Sequence, residues 1–306
     1  MPVPVVIDTD IGSDVDDALA IALAVRHPEL ELRAVTTVSS QPDVRAGLAA
    51  ALLDAACASH VPVAVGRSVA GDDRNVIGAE HAGRLVPSSQ APYEDAVELL
   101  AGVAPDTAIA TIGQQTNLAA AVRRDPRLAR RARELTVMGG SFAPFRTPDG
   151  QVHGAERDWN LVLDPTGAVE SLAQGWRRLR YVPIDVTFRT VLTRGHVDRL
   201  RDGDDLCRLL ADLLDGWRAR VHPSAPPGFA ALLHDPLAVA CVAECAYVHV
   251  ERLPVTVMLD DRGLAHTVVD PVEGRAADVV RSVDAPAFAD WMVETLLSPQ
   301  TMELSR

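Results

Sequence analysis

Apolar stretches rich in β-branched residues alternate with stretches rich in Ala and Leu along most of this chain. Residues 3–8 form a nearly unbroken apolar run, which is typical of a strand covered on both faces. Residues 17–25 are Ala- and Leu-rich and favour a helix, and residues 30–38 return to β-branched positions. The start of the chain therefore predicts a β-α-β unit.

The same alternation continues downstream. It predicts helices at 43–59, 93–102, 117–124 and 164–174, and strands at 62–65, 107–112, 134–138 and 179–184. An amphipathic helix follows at 204–221, and residues from 248 onward form short β runs before a last helix at 285–297. Alternating strands and helices predict an α/β fold: an open, mostly parallel, doubly wound Rossmann-like sheet with helices on both faces. We expect a single domain over residues 1–306, with a small β-rich C-terminal extension.

Composition and charge narrow the partners. The 306 residues carry a formal net charge of −13, and a nucleic acid or an anionic membrane surface would require a basic face. No apolar run approaches ~18 residues, the start lacks a signal-peptide pattern, and the four cysteines form no CxxC pair. We therefore expect a cytoplasmic protein with reduced thiols and no nucleic-acid or membrane partner.

Polar residues cluster where predicted strands end. The first strand runs into DTDIGSDVDDALA, which places five aspartates within ten residues. In an open parallel sheet, ligands bind beyond the carboxyl ends of the strands. Other polar groups at predicted strand ends are Ser40, Gln41, Thr116, Asn117, Asp158, Asn160, Asp185, Thr187, His234 and Asp235.

The aspartates require either a cation or a structural explanation. Two carboxylates ~4 Å apart repel by about 4 kcal/mol at an effective dielectric near 20. Oxygen ligands suit calcium or magnesium better than zinc. Because aspartate is also favoured at helix N-caps and first turns, capping alone is the competing interpretation of this loop.

Several motifs of this chain occur in the same order as in a known protein family. Along the chain stand, in this order, the motifs DTDIG with DDA, AVTTV, VPVAVG, GQQTNLA, DWNLVLDP, PIDVT and HDPLAVA. In these motifs the chain resembles the inosine–uridine-preferring nucleoside hydrolases, which are calcium-dependent nucleoside N-ribohydrolases. Several motifs in one order are more specific than any single motif. The resemblance implies cleavage of a nucleoside into free base and sugar, and a homodimer or homotetramer.

The resemblance also implies residue roles. Asp10, Asp16 and His234 would be catalytic: Asp10 orients or deprotonates the attacking water, Asp16 binds sugar hydroxyls, and His234 protonates the leaving base. Asp10, Asp17, Asp235 and the Thr116 backbone carbonyl would bind Ca²⁺. The substrate-binding residues would be Asp16, Gln41, His81, Met138, Asp158, Trp159, Asn160 and Trp217. The loop is two residues longer than in the shortest members, which leaves Asp14 without an assigned role.

This chemistry suits the residue types. Glycosidic cleavage passes through an oxocarbenium-like transition state, which nearby negative charge stabilises. A water on calcium has a lowered pKa, an aspartate can accept its proton, and a histidine with a pKa near neutrality can donate to the leaving nitrogen.

Departures from the family pattern concern the sugar site. Where the resemblance implies Glu and, six residues earlier, Asn at the 5′-hydroxyl, this chain has Asp158 and Val152. Aspartate is shorter by roughly 1.5 Å, and valine offers no hydrogen bond. The sequence therefore favours either a nucleoside altered near its 5′ position or an ordinary nucleoside in a rearranged pocket.

Two other functions remain open on the sequence alone. A hydrolase-like protein could bind calcium and nucleoside without turnover. A phosphatase of the haloacid-dehalogenase type also has an Asp-x-Asp after its first strand, but it normally requires a lysine, and this chain contains none.

Overall fold

The structure is a computed structural model that describes residues 1–69, 85–88, 94–147, 150–154, 158–221 and 223–298. Its strands are β1 (Val3–Thr9), β2 (Leu30–Thr37), β3 (Val63–Val65), β4 (Glu94–Asp95), β5 (Ala108–Thr111), β6 (Leu135–Met138), β7 (Phe145–Arg146), β8 (Val152–His153), β9 (Leu179–Val182), β10 (Val191–Thr193), β11 (Phe229–Leu232), β12 (Val248–Leu259), β13 (Ala265–Val269) and β14 (Arg275–Val283).

Helices connect most of these strands. They are α1 (Asp16–Arg26), α2 (Pro42–Ala55), α3 (Ala96–Ala101), α4 (Thr116–Arg124), α5 (Leu128–Arg131), α6 (Trp159–Leu163), α7 (Pro165–Leu172), α8 (Ile184–Thr187), α9 (Arg194–Arg201), α10 (Asp205–Val221), α11 (His234–Val242) and α12 (Ala285–Leu297).

One ten-stranded sheet organises the described chain, in the order β13-β12-β14-β9-β6-β5-β1-β2-β3-β4. The eight strands from β14 to β4 are parallel, and β12 and β13 add an antiparallel edge. The predicted doubly wound, mostly parallel sheet is confirmed. The C-terminal strands are part of this sheet because β14 pairs with β9.

The central strand β1 explains why both faces of the sheet carry helices. Its side chains point alternately to the two faces, as the strand period requires. Val5 and Ile7 are buried in one hydrophobic cluster and Val6 is buried in a second cluster on the other face. The unbroken apolar run over residues 3–7 of β1 is therefore the sequence signature of its central place.

Local sequence predicted several boundaries closely. The last helix was expected at 285–297, and α12 spans Ala285–Leu297. The predicted helix at 43–59 is shorter: α2 ends at Ala55, and Cys57 adopts a positive φ of 56°. Between β6 and α6, where the sequence analysis predicted no strand, the chain forms the short antiparallel pair β7 and β8.

The topology also fixes where a ligand site belongs. From β1 the sheet is extended on one side by β2, β3 and β4. On the other side of β1 lie β5 and the later strands, so the strand order reverses at β1. At such a switch point the loops after adjacent strands separate and leave a crevice outside the carboxyl ends. The aspartate-rich loop after β1 begins at this crevice. Within the described residues, no helix is long and apolar enough to cross a membrane.

The assignment of residues 1–306 to a single domain stays a prediction, and the continuous sheet supports it. We expect thermal unfolding in one transition, with equal calorimetric and van't Hoff enthalpies, because no described strand group has a sheet of its own large enough to fold separately. Differential scanning calorimetry measures both enthalpies. Two separate transitions would contradict the single-domain assignment.

Candidate active site

The loop after β1 starts from a carboxylate that is structural. The Asp8 Oδ1 atom accepts hydrogen bonds from Thr36 Oγ1 at 2.6 Å and Asn117 Nδ2 at 2.8 Å. Burial raises the pKa of Asp8 to about 7, although these hydrogen bonds oppose the shift. Asp8 therefore ties β1 to β2 and α4, and the next aspartate, Asp10, is the first to reach the cavity.

Three carboxylates from two helices meet in front of this loop. Oxygens of Asp16, Asp17 and Asp235 lie within 4.8 Å of one another, and all three side chains are buried. Asp16 and Asp17 begin α1, while Asp235 lies in the first turn of α11. The Asp235 N–H donates to Asp16 Oδ2 at 3.1 Å, and Thr9 Oγ1 donates to Asp17 Oδ1. We call Asp16, Asp17 and Asp235 the acidic cluster.

The electrostatics of the acidic cluster favour a cation. Burial, followed by the charges of neighbouring carboxylates, raises the pKa of Asp16 and of Asp235 well above the usual value. Burial also raises the pKa of Asp14, to about 6. The N-termini of α1 and α11 offset only part of this negative charge. A donor set made of oxygens fits a hard divalent cation such as Ca²⁺.

The acidic cluster forms one wall of a cavity of about 310 Å³. This volume lies near the lower end of the roughly 300–1,000 Å³ that small-molecule pockets occupy. Its lining residues are Asp10, Ser13, Asp14, Asp16, Asp17, Ile112, Met138, Asp158, Trp159, Asn160, Ile184, Phe188, His234 and Asp235. Nine of the site residues predicted from the sequence therefore share one cavity with Asp14.

His234 lines the cavity and lies against an aromatic ring. Its Nδ1 atom is 2.6 Å from Thr187 Oγ1, and the Phe188 ring contacts it edge-on with centroids 4.8 Å apart. Burial lowers the pKa of His234 to about 4. This shift favours the neutral imidazole, whereas the sequence predicted a pKa near neutrality. Because Thr187 engages Nδ1, Nε2 is the nitrogen available to a substrate.

The opposite wall carries polar groups suited to a sugar. Asp158 caps α6, accepting from the Leu161 N–H at 2.6 Å through Oδ1, while its Oδ2 atom is buried without a hydrogen bond. Burial raises its pKa to about 6. Asn160 Nδ2 donates to the carbonyls of Ile112 at 3.0 Å and Met138 at 3.1 Å. Trp159 is half exposed at the cavity rim.

Thr116, an expected calcium ligand, does not line the cavity that holds the acidic cluster. It is the first residue of α4, and a carbonyl there accepts the helical hydrogen bond from four residues ahead and points along the helix. Its hydroxyl donates to Asp164 at 2.8 Å, and Thr116 is absent from the cavity lining. Ile112, directly after β5, does line the cavity, and its carbonyl accepts from Asn160 Nδ2 at 3.0 Å.

Two expected substrate-binding residues, Trp217 and Gln41, do not line this cavity, and a third expected residue cannot be compared with it. Trp217 is 1% exposed within the hydrophobic core, where its ring lies 6.4 Å from that of Phe229. Gln41 is an exposed N-cap residue of α2 with a φ of 54°. His81 lies outside the described residues. An amphipathic pattern could not show that Trp217 is on the buried face of α10.

Sequence reasoning missed Arg45, a fully buried cation beneath the aspartate-rich loop. Its Nη1 atom donates to the carbonyls of Asp10 and Ile11 and to Ser13 Oγ at 2.8 Å. Its Nε atom donates to the Ser40 carbonyl at 2.7 Å. The guanidinium therefore fixes the loop that presents Asp10. A lone arginine within the apolar helix sequence PDVRAGLAAALLDA was the available signal.

A cavity with an all-oxygen acidic cluster and a histidine, at the switch point of a doubly wound sheet, is typical of enzymes that hydrolyse small molecules with a bound metal. Comparison with known proteins agrees. The family model described as "Inosine-uridine preferring nucleoside hydrolase" matches residues 5–290. The chain therefore belongs to the inosine-uridine preferring nucleoside hydrolase family, and the predicted resemblance is confirmed.

Individual relatives cover nearly the whole chain. An inosine-uridine preferring nucleoside hydrolase of Crithidia fasciculata is 27% identical over 298 residues, 88% of each chain. The pyrimidine-specific ribonucleoside hydrolase RihA of Salmonella paratyphi B is 30% identical, covering 97% of this chain and 99% of its own. A purine-preferring ribonucleoside hydrolase structure from Gardnerella vaginalis has a TM-score of 0.76 at 25% identity, covering 96% and 98%.

Family membership decides the reaction class. The protein is a hydrolase of the nucleoside N-glycosidic bond, as the sequence predicted. The haloacid-dehalogenase alternative has no support, because the match extends through nearly all of the described sheet.

Replacing Arg45 tests the interpretation that it fixes the aspartate-rich loop. We expect Arg45→Met to lower the free energy of unfolding by about 3 kcal/mol or more, because several buried carbonyls lose a charged donor. Arg45→Lys should fall between Arg45→Met and wild type, since lysine keeps the charge but not the planar fork. Urea denaturation gives the values.

The matched control is Arg123→Met, since Arg123 is 60% exposed and pairs only with Glu170 at the surface. We expect its effect to stay within about 0.5 kcal/mol. Equal effects for Arg45→Met and Arg123→Met would contradict a role for Arg45 in loop geometry.

Proposed function

We propose that this protein hydrolyses the N-glycosidic bond of a ribonucleoside, or of a nucleoside modified near C5′, with Ca²⁺ bound beside the acidic cluster. The convergence of Asp16, Asp17 and Asp235 within 4.8 Å of one another in the cavity lining is the observation that carries this proposal. Three buried carboxylates that converge from two helices fit a metal ligand set better than helix capping, which needs only one residue per helix.

The proposed ligands are the carboxylates of Asp10, Asp17 and Asp235 with the Ile112 carbonyl, which replaces Thr116 in the set. Asp16 accepts from the Asp235 N–H through one oxygen, and its other oxygen is available to sugar hydroxyls. When bound, Ca²⁺ lowers the pKa of a coordinated water and holds that water near the sugar. Oxygen ligands and a flexible coordination geometry favour Ca²⁺ over zinc.

The residues then divide the chemistry between them. Asp10 accepts the proton of the attacking water, and the surrounding carboxylates stabilise the positive charge that develops on the sugar. Asn160 and Asp158 hold the sugar from the opposite wall. If the Thr187 hydroxyl donates to Nδ1 of His234, the ring carries its proton on Nε2, which faces the cavity. A hydrogen bond from Nε2 stabilises the departing base.

The remaining expectations follow from composition and family rather than from site geometry. We propose a cytoplasmic homodimer or homotetramer whose partner is a small-molecule nucleoside. The free cysteines, two of them buried, suit a reducing compartment.

Removing the proposed base should abolish turnover. We expect Asp10→Ala to lower kcat/KM for inosine or uridine at least 100-fold, because a general base typically contributes 10²–10⁴-fold. A chelator should have the same effect on wild type, and added Ca²⁺ should restore the activity. Base release followed by chromatography is the measurement. Asp54→Asn, an exposed substitution on α2, is the control and should behave as wild type. Full activity after chelation would contradict the calcium proposal.

A comparison of leaving groups tests the role of His234. We expect His234→Ala to reduce kcat for inosine about 100-fold, because hypoxanthine needs a hydrogen-bond or proton donor to leave. With p-nitrophenyl riboside the loss should be below about fivefold, since nitrophenolate leaves without that assistance. Steady-state kinetics on both substrates give the ratio. Equal losses on both substrates would show that His234 is needed for structure or sugar binding instead.

A further inference from the structure

A second cavity of about 350 Å³ adjoins the catalytic one. Phe188 lines both cavities, so a single aromatic ring separates them. The Phe188 ring stacks on Phe145 with centroids 4.8 Å apart and interplanar angle 13°, and its edge contact with His234 spans the same distance. The second cavity therefore shares a wall, the Phe188 ring, with the cavity that contains His234 and the acidic cluster.

Two arginines from different elements face this second cavity. Arg146 belongs to β7, and Arg189 follows α8. Neither guanidinium lies within 4.0 Å of a described carboxylate, and Arg146 Nη1 donates to the Gly150 carbonyl at 2.6 Å. Both side chains are exposed. In a chain with a net charge of −13, two cations without ion-pair partners beside the active site are a local excess of positive charge.

One carboxylate also lines the second cavity and contributes to its charge balance. Asp185 is buried, and its Oδ1 atom accepts from the Phe142 N–H at 2.9 Å. Burial raises its pKa, while the charges of Arg281 and Arg189 act in the opposite direction. Asp185 therefore lies within the electrostatic reach of Arg189 but is committed to a backbone hydrogen bond. At most one negative charge offsets two positive charges in this cavity.

The geometry of a nucleoside restricts what could enter. With its hydroxyls at the acidic cluster, the sugar can extend only through the base at C1′ or through C5′, and common bases carry no negative charge. Five bonds of about 1.5 Å separate C1′ from a phosphorus on O5′, a reach of roughly 6 Å. Val152, 63% exposed, lines this cavity where the resemblance implied an asparagine for the 5′-hydroxyl.

We propose that the second cavity is a subsite for a 5′-phosphoryl group, held by Arg146 and Arg189, so that nucleoside 5′-monophosphates are substrates. This rests on the proposed function. Water adds to C1′ as the C1′–N bond breaks, the base leaves with its electron pair and a proton, and ribose 5-phosphate is the second product. The phosphate ester is unchanged, so no co-reactant is needed. Paired guanidinium groups suit phosphate oxygens because each offers a planar set of donors.

Binding of product-sized probes tests the subsite without turnover. By isothermal titration calorimetry with Ca²⁺ present, ribose 5-phosphate should bind wild type at least tenfold more tightly than ribose. Arg146→Gln and Arg189→Gln should each reduce that advantage several-fold, and the double variant should remove it. Arg220→Gln, an exposed substitution that lines neither cavity, should keep it. Equal affinity of wild type for both probes overturns the subsite.

Kinetics on matched substrates separate this proposal from the proposed function. The ratio of kcat/KM for uridine 5′-monophosphate to kcat/KM for uridine should exceed one in wild type and fall at least tenfold in the double variant. Relative to uridine, the decrease in kcat/KM for 5′-deoxyuridine should be smaller than the increase for uridine 5′-monophosphate. Cleavage of uridine with a ratio far below one overturns the subsite and leaves nucleoside hydrolysis standing. If none of the three substrates releases its base, the proposed function is overturned, and the calorimetry alone then tests the subsite.

Discussion

Repulsion among buried carboxylates at the end of β1 is the constraint on which the rest of this site depends. Asp16, Asp17 and Asp235 are brought together by two helices from distant parts of the chain, and Asp10 and Asp14 line the same cavity. Such an arrangement is stable at neutral pH only if protons or a cation neutralise it. Burial and the neighbouring carboxylates raise the pKa of Asp16 and of Asp235, which is the direction expected where negative charges lie close together.

The surrounding structure can be understood as support for that cluster. The helix N-termini of α1 and α11 direct partial positive charge at it, and Arg45 places a full positive charge under the backbone of the same loop. Asp8 serves a different purpose, since its partners are Thr36 and Asn117 on neighbouring elements. Negative charge is thereby confined to the cavity side of the loop, where a sugar cation would form during cleavage.

Local pattern predicted what depends on local interactions. The apolar run of β1, the alternation of elements and α12 followed from hydrophobic periodicity, and the ordered motifs identified the family. The structure differs from the sequence predictions where the position of a side chain depends on helix geometry or on contacts between residues far apart in the chain. Thr116 lies only four residues beyond Ile112, yet the start of α4 turns its carbonyl away. Trp217 lies on the buried face of α10, and Arg45 reaches a loop 34 or 35 residues away. None of these follows from one-dimensional spacing.

Direct measurement of metal binding tests the central claim most sharply. Isothermal titration calorimetry of the chelator-treated, intact protein with CaCl₂ should show one Ca²⁺ per chain. Asp17→Asn and Asp235→Asn should each weaken that binding at least tenfold, while the exposed substitution Asp54→Asn should not change it. A wild-type protein that binds no Ca²⁺, or variants that bind it as tightly as wild type, would contradict the account of the acidic cluster as a cation site.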